Sequence, residues 1–156
     1  MFIYRCPVPS SWLDFNGHMN VIPYFEVFCS ASNLAGRDLG LGLSYLDEGY
    51  SIFSGDIHIT YVREVRAGAT LTVRTRILDI DIKRFVFHQE MIDDRDGALA
   101  ATAEHLQLNV GVASRKVEPF RADVLERLRK AQREQGGSVP RNVGRAATLT
   151  SGAPAR

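Results

Sequence analysis

At 156 residues, with 45% hydrophobic and 24% charged side chains, the chain has the size and composition of one globular domain with a real core and little room for a second. The formal net charge of +1 argues against a general nucleic-acid binder, which carries a clear basic excess, so any anionic ligand must be met by local arginines. Cys6 and Cys29 are too few for a disulfide framework, no apolar run approaches the roughly 20 residues that span a bilayer, and Phe2-Ile3-Tyr4 followed by Arg5 does not read as a signal peptide. A reduced cytoplasmic protein with no membrane association is the expectation.

Residues 2–8 read as a short strand stopped by Pro7 and Pro9, which cannot donate ladder hydrogen bonds. A polar, glycine-containing loop follows, Trp12-Leu13-Asp14-Phe15-Asn16-Gly17-His18-Met19-Asn20. From about Met19 to Leu39 the pattern turns helical, with Tyr24, Phe25, Val27, Phe28, Ala31, Leu34, Ala35 and Leu39 covering far more than one stripe. Such a helix is expected to be buried on most sides. Pro23 is tolerated in its first turn, Asn20 or His18 lies near the cap, and Gly40 and Gly42 mark the far end.

After a link containing Tyr45, Leu46 and Asp47 the period changes to two. Ser51 to Arg63 places Phe53, Gly55, Ile57, Ile59 and Tyr61 on one face, and Thr70 to Leu78 does the same with Leu71, Val73, Thr75 and Ile77. Arg84 to Ile92 and Ala98 to Val110 make two more strands, joined by the hairpin signal Asp96-Gly97; Ala67-Gly68 and Asp79 to Asp81 are weaker turn signals. Consecutive antiparallel pairing follows from these turns. From Pro119 to about Gln135 a second helix sets Val124, Leu125, Leu128 and Ala131 against a charged face. Residues 136–156 have no acidic residue and three arginines, and are expected to lack fixed structure. The fold class is α+β: residues 1–135 form one domain in which an antiparallel five-stranded sheet wraps a central helix, with a C-terminal surface helix.

This order of elements, with Asp14-Phe15-Asn16-Gly17-His18-Met19-Asn20 at the entrance to the apolar helix, resembles the hotdog-fold acyl-CoA thioesterases of the 4-hydroxybenzoyl-CoA thioesterase type. The family loop reads Asp-x-Asn-Gly-His-hydrophobic-Asn, and the chain matches every specified position. The resemblance covers about Met1 to Arg133. It implies a hotdog fold, Asp14 as the catalytic carboxylate, and a homodimer or homotetramer with active sites where protomers meet. Within the family the chain looks most like the small thioesterases of carnitine degradation that act on betainyl-CoA. That likeness rests on Trp12 to Asn20, on His58-Ile59-Thr60-Tyr61-Val62-Arg63-Glu64-Val65-Arg66 and on Lys83-Arg84.

Thioester hydrolysis needs a nucleophile or general base and donors for the developing oxyanion. Asp14 can attack to give a mixed anhydride or can activate water. Backbone N–H groups of the Gly17 to Asn20 turn are the expected oxyanion donors, with Asn16, His18 and Asn20 orienting Asp14, water or thioester. The structural alternative is an Asx turn at Asp14 and Asn16 with Asn20 as helix cap. Arg63, Arg66, Lys83 and Arg84 are candidate contacts to CoA phosphates, or else charges decorating a strand edge. Trp12, Phe15 and Tyr24, with Tyr45 and Phe53, are candidate acyl-pocket residues; an aromatic cage would suit a trimethylammonium group. His58, His88 and His105 lack close ligand spacing, so no metal is expected, and Cys29 reads as a small core residue. No cofactor is called for, since coenzyme A is part of the substrate. A non-hydrolytic acyl-CoA binding module and a hotdog hydratase or dehydratase are the competing functions.

Overall fold

The computed structural model of the chain describes residues 1–136, so the expectation for the tail lies outside the described residues. Strand β1 (Phe2–Pro7) leads through a single 3-10 turn at Ser10–Trp12 to helix α1 (Val21–Asp38). A short helix α2 (Leu43–Asp47) occupies what the sequence presented as a link. Strands β2 (Tyr50–Tyr61), β3 (Thr70–Ile80), β4 (Arg84–Asp93) and β5 (Ala98–Gly111) follow, and helix α3 (Ala122–Glu134) closes the domain. No helix among the described residues is long and apolar enough to cross a membrane.

All five strands form one antiparallel sheet in the order β1-β3-β4-β5-β2. Consecutive pairing therefore holds from β3 to β5 and fails for β2, which lies beside β5 at the far edge. Hydropathy alternation records which face a residue takes but not which neighbour its strand finds. The β2–β3 connection must then cross the end of the sheet. It is pinned there by Val62 and Arg63 N–H groups on the Ala100 carbonyl and by the Met19 N–H on the Val65 carbonyl at 2.7 Å.

A β-bulge between Ser54 and Asp56 inserts one residue into β2. Ile57 and Ile59 keep the core face, but the extra residue reverses the parity beyond Gly55. Phe53 therefore lies opposite Leu108 and is 49% exposed rather than sharing a face with Ile57, while Ser54 turns toward His105.

Helix α1 lies across the inner face of the sheet. Phe28, Ala31 and Ala35 are fully buried against Leu71, Val73, Phe87 and Met91, and the Gln89 amide, itself buried, donates to the Phe28 carbonyl at 3.0 Å. The expectation of burial on most sides is corrected here: Val21, Ile22 and Phe25 are between 45% and 62% exposed. One sheet covers one face of a helix, and the described residues supply nothing for the exposed row on the other. Helix α3 packs Val124 and Leu128 into the far half of the core. Its Gln132 and Gln135 side chains bond the Leu78 carbonyl and the Ile77 N–H, beyond the point where β1 stops covering that edge of β3.

Candidate active site

The loop between β1 and α1 folds back on itself. Leu13 bridges Met19, the Asp14 N–H bonds the His18 carbonyl at 2.9 Å, and the Gly17 N–H bonds the Asp14 carbonyl at 3.0 Å. Gly17 sits at φ +77°, a left-handed conformation that glycine adopts without steric cost. Asp14 Oδ1 accepts the Asn16 N–H at 2.8 Å and more distantly the His18 N–H at 3.5 Å. An Asx turn is thus present, and it leaves Oδ2 without a partner among the described residues. Asn20 caps α1, its side-chain oxygen accepting the Ile22 N–H at 3.3 Å.

The backbone N–H groups of the turn already have acceptors. Gly17, His18, Met19 and Asn20 N–H groups are already directed to the Asp14 carbonyl, Asp14 Oδ1, and the Val65 and Trp12 carbonyls. Ile22 is capped and Pro23 has no N–H. Val21 is then the first-turn residue whose N–H meets no acceptor among the described residues, at the positive end of α1. The turn expected to hold an oxyanion is saturated by its own folding, and the available donor lies at the first residue of the helix.

His18 does not reach toward Asp14. Its Nε2 lies 2.9 Å from Glu64 Oε2, and the other oxygen of Glu64 binds Arg66 at 2.8 Å. Residues 63–66 arrive beside the loop because the crossover carries them there. Arg63 contacts Asp96 at 2.5 Å. Arg95, which the sequence reading did not single out, joins Arg63 and Arg66 around a polar depression and is itself held by the buried Asp93 at 2.6 Å. That pairing holds the Asp93 carboxyl below the usual carboxylate range.

Lys83 and Arg84 are not brought to this cluster. Arg84 pairs with Leu108 at one end of β4, whereas Asp93 at the other end pairs with Ala98. A strand of ten residues separates these ends by about 30 Å. Arg84 is committed to Asp81 at 2.6 Å. Among the aromatic candidates, Trp12 is half-buried against the core beside the loop, Tyr24 is 4% exposed at the helix start, and Phe15 is 97% exposed at the loop tip. Tyr45 is a core residue, stacked on Tyr50 and bonded to Asn109 at 2.7 Å.

Among the described residues, cavities lie at both halves of α1. The smaller, about 370 Å³, lies at its N-terminus between Met19, Val21, Tyr24, Tyr61 and Glu64. The larger, about 680 Å³, runs along its second half between Cys29, Leu34, Arg37, Phe87 and His105. Cys29 is a half-buried wall of this cavity rather than a core residue, and burial raises its thiol pKa. His105 is 2% exposed, with Nδ1 3.1 Å from Ser32 Oγ and Nε2 2.8 Å from Ser54 Oγ. His88 and His58 pair with Glu104 on the opposite face of the sheet, so the three histidines do not converge.

Burial lowers the His105 pKa to about 4, against roughly 6.5 in an unfolded chain. Between these values the unfolded chain binds the extra proton, so stability rises with pH through this window and is lost as pH falls toward 4. In urea titrations His105→Asn is expected to lose ~2–3 kcal/mol less than wild type between pH 7 and about pH 4.5. Equal acid losses in the two proteins would contradict a neutral, buried imidazole.

Comparison with known proteins shows the family. A family model for the thioesterase-like superfamily matches residues 8–128. The betainyl-CoA thioesterase of Pseudomonas aeruginosa is 33% identical over 144 residues, covering 91% of this chain and 91% of its own. An L-carnitine dehydrogenase/betainyl-CoA thioesterase of Agrobacterium fabrum is 31% identical over 142 residues, covering 91% of this chain. The chain spans 29% of that relative's length. The protein SAV2348 from Staphylococcus aureus, solved in complex with CoA, superposes with a TM-score of 0.86 at 25% identity, covering 96% of this chain and 95% of its own. With an antiparallel five-stranded sheet around α1 and a family match over most of its length, the chain belongs to the thioesterase-like superfamily, thioester hydrolases built on the hotdog fold.

Proposed function

We propose that the chain is an acyl-CoA thioesterase that hydrolyses a small acyl-CoA, betainyl-CoA foremost, to the free acid and CoA in the cytoplasm. The observation that carries this is Asp14, one carboxylate oxygen fixed by the Asn16 N–H and the other free, in a loop bonded alongside the residues that lead into α1 and its unpaired Val21 N–H. The loop fixes the direction of the carboxylate; the helix start supplies a donor that needs no rearrangement when the carbonyl oxygen gains charge. Asp14 either takes a proton from water as the water attacks the carbonyl carbon, or attacks it directly and forms a mixed anhydride that water opens. In both routes the CoA thiolate leaves. The acyl preference is supported by the likeness to the Pseudomonas aeruginosa enzyme over nearly the whole of both chains. Free-thiol release from betainyl-CoA and a panel of short aliphatic and aromatic acyl-CoAs tests the reading, with betainyl-CoA expected among the fastest.

The working unit is a homodimer or a tetramer built from dimers. Its support is the exposed apolar row Val21, Ile22 and Phe25 on α1 and the outer edge of β2, unpaired among the described residues. A second protomer would bury that row and add a wall to the cavity at the N-terminus of α1. Sedimentation at micromolar concentration should give a dimer or larger; a fully active monomer would contradict the shared site.

A further inference from the structure

A betainyl group is short, and its length decides which of the two cavities can hold it. Its nitrogen lies two bonds from the thioester carbon, about 2.5 Å away, as N and C do across one Cα. With the carbonyl oxygen at the Val21 N–H, the ammonium must sit beside the first turn of α1. The larger cavity begins at Cys29, eight residues on, or about 12 Å along the helix axis. Among the described residues it offers no carboxylate, and Arg37 is its one formal charge. That cavity is out of reach and of the wrong sign for a cation.

The smaller cavity has both properties required. Val21 is part of its wall. The rings of Tyr24 and Tyr61 meet edge to face, at 88° with centroids 5.1 Å apart, and beside their contact they form an aromatic corner that one group can approach. Tyr24 is held from behind, 4% exposed, with its hydroxyl directed to the Arg63 carbonyl at 3.4 Å, while Tyr61 is 49% exposed. At the rim stands Glu64, fixed between His18 and Arg66. Arg63 also borders the space, but its guanidinium is directed to Asp96.

We propose that the corner of Tyr24 and Tyr61, closed by Glu64, is the subsite for the trimethylammonium group of a short acyl thioester. This rests on the thioesterase reading above and adds the residues that set its acyl preference. Two perpendicular rings give directionless attraction to a quaternary ammonium, which has no hydrogen to donate, and Glu64 adds a carboxylate at the rim that it shares with Arg66 and His18.

The test uses the full chain and two thioesters of nearly identical shape, betainyl-CoA and its neutral carbon isostere 3,3-dimethylbutanoyl-CoA. Wild type should favour the cationic substrate in kcat/KM by roughly 5- to 30-fold, a range that matches two cation–π contacts. In Tyr61→Leu and in Glu64→Gln that ratio should fall several-fold, chiefly through the KM for betainyl-CoA, and Tyr61→Phe should retain it because the ring face is kept. A wild type that does not discriminate, or a Tyr61→Leu that slows both thioesters equally, overturns the subsite. If neither thioester is hydrolysed while other acyl-CoAs are, the betainyl reading fails, and the subsite is then decided by NMR. Millimolar tetramethylammonium should shift the Tyr24 and Tyr61 ring resonances, and rings that do not respond overturn it.

Discussion

Asp14→Asn is expected to lower kcat for thioester hydrolysis by roughly 10²- to 10⁴-fold, the range for removing a positioned general base. That corresponds to ~3–5 kcal/mol of transition-state stabilisation. The substitution separates chemistry from folding, because an asparagine carbonyl can accept the Asn16 N–H that Asp14 Oδ1 now receives at 2.8 Å. The turn, the Leu13–Met19 bridge and the helix entrance should remain as they are. Thermal unfolding of the variant should therefore track wild type while thiol release collapses. Equal turnover in the two proteins would reduce Asp14 to the Asx turn it also forms.

Val21→Pro is expected to cost roughly 10²- to 10³-fold in kcat with the fold retained, as for loss of one oxyanion donor. A backbone donor is seldom removable, but here the geometry permits it. Val21 is the first residue of α1, the position where proline is favoured in helices and where its missing N–H breaks no intrahelical bond. Asn20 before it is at ψ 160°, the extended conformation a residue preceding proline requires. Val21 is 57% exposed in the single chain, and alanine here removes comparable side-chain contact with a second protomer, so the difference between the proline and alanine variants reports the N–H. Val21→Ala keeps the N–H and should keep most of the activity. If the proline and alanine variants turn over alike, the oxyanion is held elsewhere.

What the sequence made legible was local. Asp14, Gly17 and Asn20 carry their roles in short-range hydrogen bonds, and the start of α1 follows from its cap and from Pro23 in the first turn. The five strands were readable from alternation, and Asp96-Gly97 marked the β4–β5 hairpin. The position of β2 was not, because turn signals say that a chain reverses and not which strand it then meets. Placing β2 beside β5 creates the crossover, and the crossover sets Glu64 against His18. No spacing within the loop could have announced Glu64, which lies 46 residues from His18 in the chain. Tyr61 was visible as a core-facing strand residue but not as the partner of Tyr24.

Two corrections share one physical origin, the difference between a residue's character and its surroundings. The breadth of apolar character on α1 suggested that the sheet alone wraps it, yet the described residues leave Val21, Ile22 and Phe25 open. Hydropathy reports a demand for burial and is silent on whether the same chain or a second copy meets it. Likewise the alternation of β2 placed Phe53 with Ile57, and the bulge at Gly55 reversed it. Gly55 carried a trace of that signal, since a side chain there would press on Leu108 and glycine inside a strand marks such irregularities. The same reversal aims Ser54 at His105.

The most direct measurement follows the fate of the thioester itself on the full chain, with thiol release and ligand binding read on the same sample of betainyl-CoA. Turnover to free CoA and the acid, abolished or nearly so in Asp14→Asn while that variant still binds the thioester, is the expected result. Saturable binding of betainyl-CoA and of every other acyl-CoA offered, with no thiol released by the wild-type chain, would make the groove a binding site without catalysis and contradict the proposed role of Asp14.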